Sequence, residues 1–168
     1  MKRIIKQQKL EITLIINKNI MRSKSATWFE CKIRYDKVDE SGVNKAVTET
    51  YVVDALSFTE AEKAIIKDME PFISGEFEVK DIKKATYKEI FFSDDSAADK
   101  WFKVKLQFIT FAEQTGNEKK SSVTYILQSD TFNNAVTSIS EVMKGSMMEY
   151  VTANVQETSI MDVYEHEA

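Results

Sequence analysis

The chain has 168 residues, 43% of them hydrophobic and 30% charged, with a net charge of −4, which suits one medium-sized globular unit or two small ones packed together. A single cysteine, Cys31, and a single histidine, His166, exclude an internal disulfide framework and Cys/His zinc sites by count. Four glycines and one proline argue against flexible linkers, no apolar run reaches the roughly 18–20 residues a membrane span needs, and a cytoplasmic setting is expected.

Residues 1–20 differ from the rest. Lys2, Arg3, Lys6, Lys9 and Lys18 stand against Glu11 alone, a local charge of +4 that leaves −8 on residues 21–168. Glu11 interrupts the apolar run that a secretory signal requires. Met21, followed by Arg-Ser-Lys-Ser, reads as the natural start, with 1–20 a disordered leader or upstream extension; an added strand is the alternative.

Beyond it the chain repeats itself. Trp28-Phe29-Glu30-Cys31-Lys32-Ile33-Arg34-Tyr35 matches Trp101-Phe102-Lys103-Val104-Lys105-Leu106-Gln107-Phe108 at an offset of 73. After one residue inserted in the turn, Gly42 meets Gly116, Tyr51 meets Tyr125, Phe58 meets Phe132, Ala61 meets Ala135, Ile65 meets Ile139 and Met69 meets Met143. The offset then returns to 73, pairing Phe77 with Tyr150, Ile82 with Val155, Ile90 with Val163 and Phe91 with Tyr164.

Each copy opens on a period-2 strand that places Phe29, Cys31, Ile33 and Tyr35, or Phe102, Val104, Leu106 and Phe108, on one core-facing side. Turns containing Gly42 and Gly116 lead into return strands at 46–54 and 121–128, with Tyr51, Val53, Val123, Tyr125 and Leu127 inward. Ser57-Phe58-Thr59-Glu60 has capping-box spacing, Pro71 should stop the helix it begins, and Thr131 caps the second helix, at about 132–143. The stretches 76–92 and 149–165 each fit one bent strand or two short ones.

These elements predict an α+β fold: a tandem duplication of a β-hairpin–helix–β unit, with antiparallel sheets, one helix per repeat and a pseudo-two-fold relation. Residues 21–92 form repeat 1 (ββαβ), 93–99 an acidic connector and 100–168 repeat 2 (ββαβ), the repeats packing as one globular unit.

The segments Ala26-Thr27-Trp28-Phe29-Glu30-Cys31-Lys32 and Asp54-Ala55-Leu56-Ser57-Phe58-Thr59-Glu60-Ala61-Glu62 resemble an uncharacterised family of Bacteroides-group gut bacteria, their phages and mobile elements, over essentially 21–168. That resemblance implies no activity, ligand or catalytic residue. In layout alone, the hairpin, helix and strand repeat is similar to single-stranded nucleic-acid binders of the Pur-alpha and Whirly type.

The sequence contains no nucleophile–base pair, carboxylate pair or glycine-rich phosphate loop of recognisable spacing, so no catalytic residue, metal site or cofactor is expected. Cys31 lies on a core face opposite Val104 in the repeat and reads as a structural thiol. His166 could join Glu165 and Glu167 around a metal, but adjacent residues rarely converge on one ion and chain ends fray.

Two surfaces invite binding. Trp101, Lys103, Lys105, Lys119 and Lys120 on the second hairpin would suit stacked bases and phosphates, although Trp101 covering the other copy above solvating lysines explains the same pattern. The second helix carries Asn133, Asn134, Thr137, Ser138 and Ser140 where the first is highly charged, as a self-association or partner surface would, or a neutral solvent face. The leading expectation is a non-catalytic interaction or accessory protein that binds a protein partner or forms a homo-oligomer, without membrane association. Single-stranded DNA or RNA binding is the alternative.

Overall fold

A computed structural model describes residues 21–166. The elements in chain order are β1 (Arg22–Ser25), β2 (Trp28–Val38), β3 (Asn44–Asp54), α1 (Phe58–Met69), β4 (Phe77–Lys84), β5 (Glu89–Phe92), β6 (Lys100–Phe111), β7 (Glu118–Ser129), α2 (Phe132–Met143), β8 (Glu149–Glu157) and β9 (Ile160–Tyr164). The class is α+β, as the patterning predicts. The leader, 1–20, lies outside the described residues, and the short polar strand β1 just after it carries no apolar alternation by which to find it.

Local signals act where the sequence puts them. Gly42 and Gly116 close the hairpins at φ of 82° and 67°, a left-handed conformation costly for a side chain with a Cβ. Ser57 Oγ accepts from the Glu60 amide at 3.2 Å and the Glu60 carboxylate reaches back to the Leu56 amide at 2.8 Å; Thr131 Oγ1 likewise accepts from the Asn134 amide at 3.2 Å. Helix α1 ends at Met69, two residues before Pro71.

The sheets are mixed rather than purely antiparallel. One has the order β4-β2-β3-β9, the other β1-β5-β7-β6-β8, and in each the hairpin comes from one half of the chain while a parallel neighbour comes from the other. Strand β9 runs parallel to β3, and β5 parallel to β7. The two exchanges correspond in register: Asp162 faces Tyr51, Val163 faces Val52 and Tyr164 faces Val53, just as Glu89 faces Tyr125, Ile90 faces Ile126 and Phe91 faces Leu127. The cause lies in Glu89-Ile90-Phe91-Phe92, an apolar run without alternation that belongs in a strand buried on both faces.

Three clusters of buried side chains follow. Helix α1 lays Ala61, Ile65 and Met69 on Phe29, Cys31, Ile33, Tyr51 and Val53. Helix α2 lays Ala135 and Ile139 on Phe91, Phe102, Val104, Leu106, Tyr125 and Leu127. Between the sheets, on the faces away from the helices, lie Trp28, Val52, Tyr87, Ile90, Phe92, Trp101, Ile126, Ile160 and Val163. The layers therefore run helix, sheet, sheet, helix. Farther along the same faces Lys32, Arg34 and Lys105 are exposed, so the sheets meet only at this end.

Both tryptophans sit in this central cluster. Trp28 is 0% exposed and its Nε1 donates to the Lys88 carbonyl at 2.9 Å, while Trp101, 2% exposed, meets the Phe92 ring edge-on at 5.6 Å. Beside them the buried Tyr87 hydroxyl donates to Glu30 at 2.9 Å, which satisfies the polar group next to the rings. Val123 lies on the face assigned to it but past the margin of the core, at 37% exposure.

Removing an aromatic ring from a packed core typically costs about 3–5 kcal/mol. Trp101→Ala should destabilise the chain by that order in urea denaturation, and both halves should unfold in one transition, because each sheet takes a strand from the other half. Two separate transitions, followed by tryptophan fluorescence and by far-UV circular dichroism, would contradict the exchanged architecture.

Candidate functional site

The segment that leaves β5 crosses the end of β7. There the Ser93 amide donates to Gln128 Oε1 at 3.0 Å, and Gln128 Nε2 donates to the Ala98 carbonyl at 2.9 Å. Asp95 folds the segment on itself, its carboxylate accepting from the Ala97 amide and its carbonyl from the Ala98 amide. Opposite, Asp130 Oδ1 accepts from the Thr131 amide and from Asn134 Nδ2, both at 2.8 Å, and so ties the end of β7 to the first turn of α2.

Between the connector and α2 lies a cavity of about 590 Å³. Four carboxylates line it: Asp94 and Asp95 from the connector, Asp130 from the strand end and Glu141 from the helix. Asn134, Thr137 and Ser138 form its helical wall and Met21 contributes an apolar edge, while no Lys, Arg or His is among the described lining residues. The Asn134 amide beside Asp130 holds that carboxyl below the usual range, so it is a carboxylate at neutral pH.

The corresponding place in the other half is filled. After β9 the His166 amide donates to Asp54 Oδ1 at 2.7 Å, the counterpart of Ser93 on Gln128 at offsets of 73 and 74. Its imidazole occupies the space beside α1, with Nδ1 2.8 Å from Asp54 Oδ1 and Nε2 2.8 Å from Asp68 Oδ2. Lys24 Nζ adds bonds to Asp54 Oδ2 at 2.5 Å and to the His166 carbonyl at 3.0 Å. Arg22 pairs with Glu165 at 2.7 Å and lies over the Phe92 ring at 4.3 Å. Burial pushes the Asp54 carboxyl up, but hydrogen bonds from Lys24 and His166 outweigh it and hold the group below the usual carboxylate range.

Of the residues singled out in the sequence, Asn134, Thr137 and Ser138 come together on the cavity wall. Asn133 and Ser140 are exposed on α2 outside it. The proposed nucleic-acid set does not converge. Trp101 lies on the face that alternation assigns it, but the other sheet covers that face, so its ring has no surface on which a base could stack. Lys120 lies across from Ile109 and shares a face with Lys103 and Lys105, whereas Lys119 lies across from Thr110 and points to the other side. Lys120 is also 3.7 Å from Glu118.

Cys31 is fully buried, and burial, followed by the negative charges of Asp68, Asp81 and Glu30, pushes its thiol up to about 12. His166 is neither frayed nor turned toward Glu165, since Asp54 and Asp68 hold both ring nitrogens. Glu167 lies outside the described residues.

Sequence reading missed the His166 clamp because its partners lie 112 and 98 positions away. The one available signal was that the repeat alignment places Asp54 against Gln128 and His166 against Ser93, polar residues in both copies at the ends of otherwise apolar strands.

A family described as a domain of unknown function, DUF4494, matches residues 27–166. The chain belongs to this family. The DUF4494 match takes in both strand ends, the connector and His166 itself. No curated protein and no solved structure matches this DUF4494 chain.

Because the folded pKa of Asp54 is depressed, its contribution is full above the unfolded value of about 3.9 and is lost as pH falls through the folded value. Asp54→Asn should therefore cost roughly 1–3 kcal/mol at pH 7, the scale of charge-assisted hydrogen bonds, and progressively less below about pH 4. Urea titrations at pH 7 and pH 3 check this, and an unchanged gap between the two would refute it. Cys31 should react with an aromatic disulfide reagent only as fast as the protein unfolds, about as slowly as its global opening allows. Rapid labelling of the native chain would show an accessible thiolate.

Proposed function

We propose that this chain is a non-catalytic interaction protein that binds another protein through the surface of its second half formed by α2 and the 93–99 connector. The observation that carries the reading is the contrast between corresponding positions: His166 closes one on Asp54 and Asp68, while the other remains a cavity of about 590 Å³ beside a helix of low charge. Helix α2 has Glu141 as its one charged residue, with Lys144 at its C-cap, and exposes Phe132 and Val136 between hydrogen-bonding side chains. Charge depletion around partly exposed apolar groups is the composition of an interface core. Among the described residues the cavity lining supplies neither imidazole nor thiol, which favours binding over catalysis.

An origin in Bacteroides-group bacteria, their phages or mobile elements, and a cytoplasmic setting, belong to the same proposal. They are supported by the resemblance of 26–32 and 54–62 and by the buried, unpaired Cys31. No helix among the described residues is long and apolar enough to cross a membrane.

The test is a pull-down from the native host with the tagged full-length chain, followed by a titration with the identified partner in purified form. Val136→Arg should weaken that binding by about tenfold or more, as central interface positions do, while Glu62→Arg at the matching site on α1 leaves it within about twofold. Equal effects of the two substitutions, or none from either, would sink the assignment to α2. So would a partner that proves to be a second copy of the chain bound through another face.

A further inference from the structure

We infer that the free edge of β8 is a second interaction surface, one that takes an extended strand of a partner protein with acidic residues on one face and apolar residues on the other. It lies at the far side of the five-stranded sheet from β1 and does not depend on the α2 assignment. Among the described residues β8 ends the strand order and pairs only with β6, so the amides and carbonyls on its outer side have no protein partner.

Strand β4, the matching edge of the other sheet, is defended where β8 is not. Proteins keep open edges from pairing with charged side chains and bulges. In β4, Glu78, Lys80, Asp81, Lys83 and Lys84 are five of eight residues, and Lys80 is the one bulged out opposite the step from Lys32 to Ile33. Strand β8 keeps the bulge at the corresponding step, from Lys105 to Leu106, but its bulged residue is Ala153. At the same offset of 73, Val151 stands for Glu78, Asn154 for Asp81 and Gln156 for Lys83. The stretch from Tyr150 to Gln156 thus has no charge, proline or glycine and is rich in strand formers, the composition of an edge that pairs readily.

The surroundings of the edge specify the occupant. Past the end of α1, Ile73 is buried beside Met69; at the helix offset of 74, Met147 is fully exposed and Met143 only partly buried. Met143 and Tyr150 therefore leave an apolar margin on the helix side of β8. On its other side Lys103 and Lys105 lie across from Gln156 and Asn154, and among the described residues neither pairs with a carboxylate. A strand added to β8 runs two strand spacings, about 10 Å, from β6. Its acidic side chains can then meet those ammonium groups across Asn154. A second copy fits less well, because β8 paired with itself along its full length sets Glu149 against Glu157, and residues 1–20, with a charge of +4, have the wrong sign for the lysines.

The probes are two peptides of strand-forming alternation and opposite charge, acetyl-(Val-Glu)4-amide and acetyl-(Val-Lys)4-amide, each titrated into the 15N-labelled full-length chain at low salt. Saturable amide shifts centred on Val151, Ala153 and Asn154 are expected with the glutamate peptide and none with the lysine peptide. Val151→Glu/Ala153→Lys gives β8 the residues of β4 at two exposed positions, and should weaken binding by about tenfold or more while leaving the spectrum dispersed. Val136→Arg on α2 should leave peptide binding within about twofold.

Equal shifts with both peptides, shifts that survive the double substitution, or no saturable shifts at all would overturn the proposal, and an equal loss with Val136→Arg would move the peptide to α2. Amide hydrogen exchange on the free full-length chain covers the other occupants. The outward amides of β8 should exchange rapidly at every protein concentration. Protection that rises with concentration would assign the edge to a second copy, and protection independent of concentration would assign it to the chain's own residues; either result removes the partner strand.

Discussion

The reciprocal placement of β5 and β9 is the constraint on which the rest of this molecule depends. Each is a short strand with little capacity to form alone, and each pairs in parallel beside the hairpin of the opposite half. That pairing brings the sheets back to back and turns two outward faces into one interior, filled by Trp28, Trp101, Phe92, Tyr87 and Val163 among others. A unit of about 70 residues with one helix on one sheet buries too little surface to be securely stable. Exchange of a strand solves this for both halves at once, since neither sheet is complete without the other.

The same exchange creates the two sites. A strand that crosses to the far sheet must leave it again, and where β5 and β9 leave, the chain passes over the end of the neighbouring hairpin strand and alongside the helix that follows. Gln128 and Asp54, the residues at those strand ends, each receive the first amide of the departing segment. The backbone thus imposes the same polar junction twice, and side chains decide what becomes of the space beside it. In one half the space holds a four-residue network of Lys24, Asp54, Asp68 and His166 that fastens the last described residue to β3 and α1. In the other the described residues leave a cavity.

Much of this was readable from residue patterns, and the parts that were not share a physical reason. Alternation located the hairpins and assigned Phe29, Cys31, Ile33, Phe102, Val104 and Leu106 to faces that the helices cover, because a helix following a hairpin folds back over its nearest apolar side. Alternation also put Trp28 and Trp101 on the opposite faces, correctly, but it reports only which side a residue lies on and never what lies against that side. Whether Trp101 met solvent or the other sheet depended on where Ile90 and Phe92 paired, a contact between a short run with no periodicity and strands more than 30 residues away in sequence. The low charge of α2 was legible for the same local reason that the hairpins were. The cavity beside it was not, since Asp95 and Asn134 come together only once β5 has crossed over.

The asymmetry between the halves then carries the argument from fold to function. If the junction beyond each exchanged strand were only a structural necessity, both would be expected to close, because an open polar cavity forgoes the hydrogen bonds and packing that its filled counterpart enjoys. The cores of the two halves match closely, Ile65 with Ile139 and Val53 with Leu127, so the difference does not come from general drift of the interior. It lies around the junction, where Ser93 stands for His166, Ala97 for Lys24, Gln128 for Asp54 and Val142 for Asp68, and in a helix that has exchanged six charges between Glu60 and Glu70 for the Asn, Thr and Ser residues of α2. One half closes its junction through Lys24, Asp54, Asp68 and His166, while in the other the described residues leave a cavity beside the helix of low charge, and on that contrast the proposed partner surface rests.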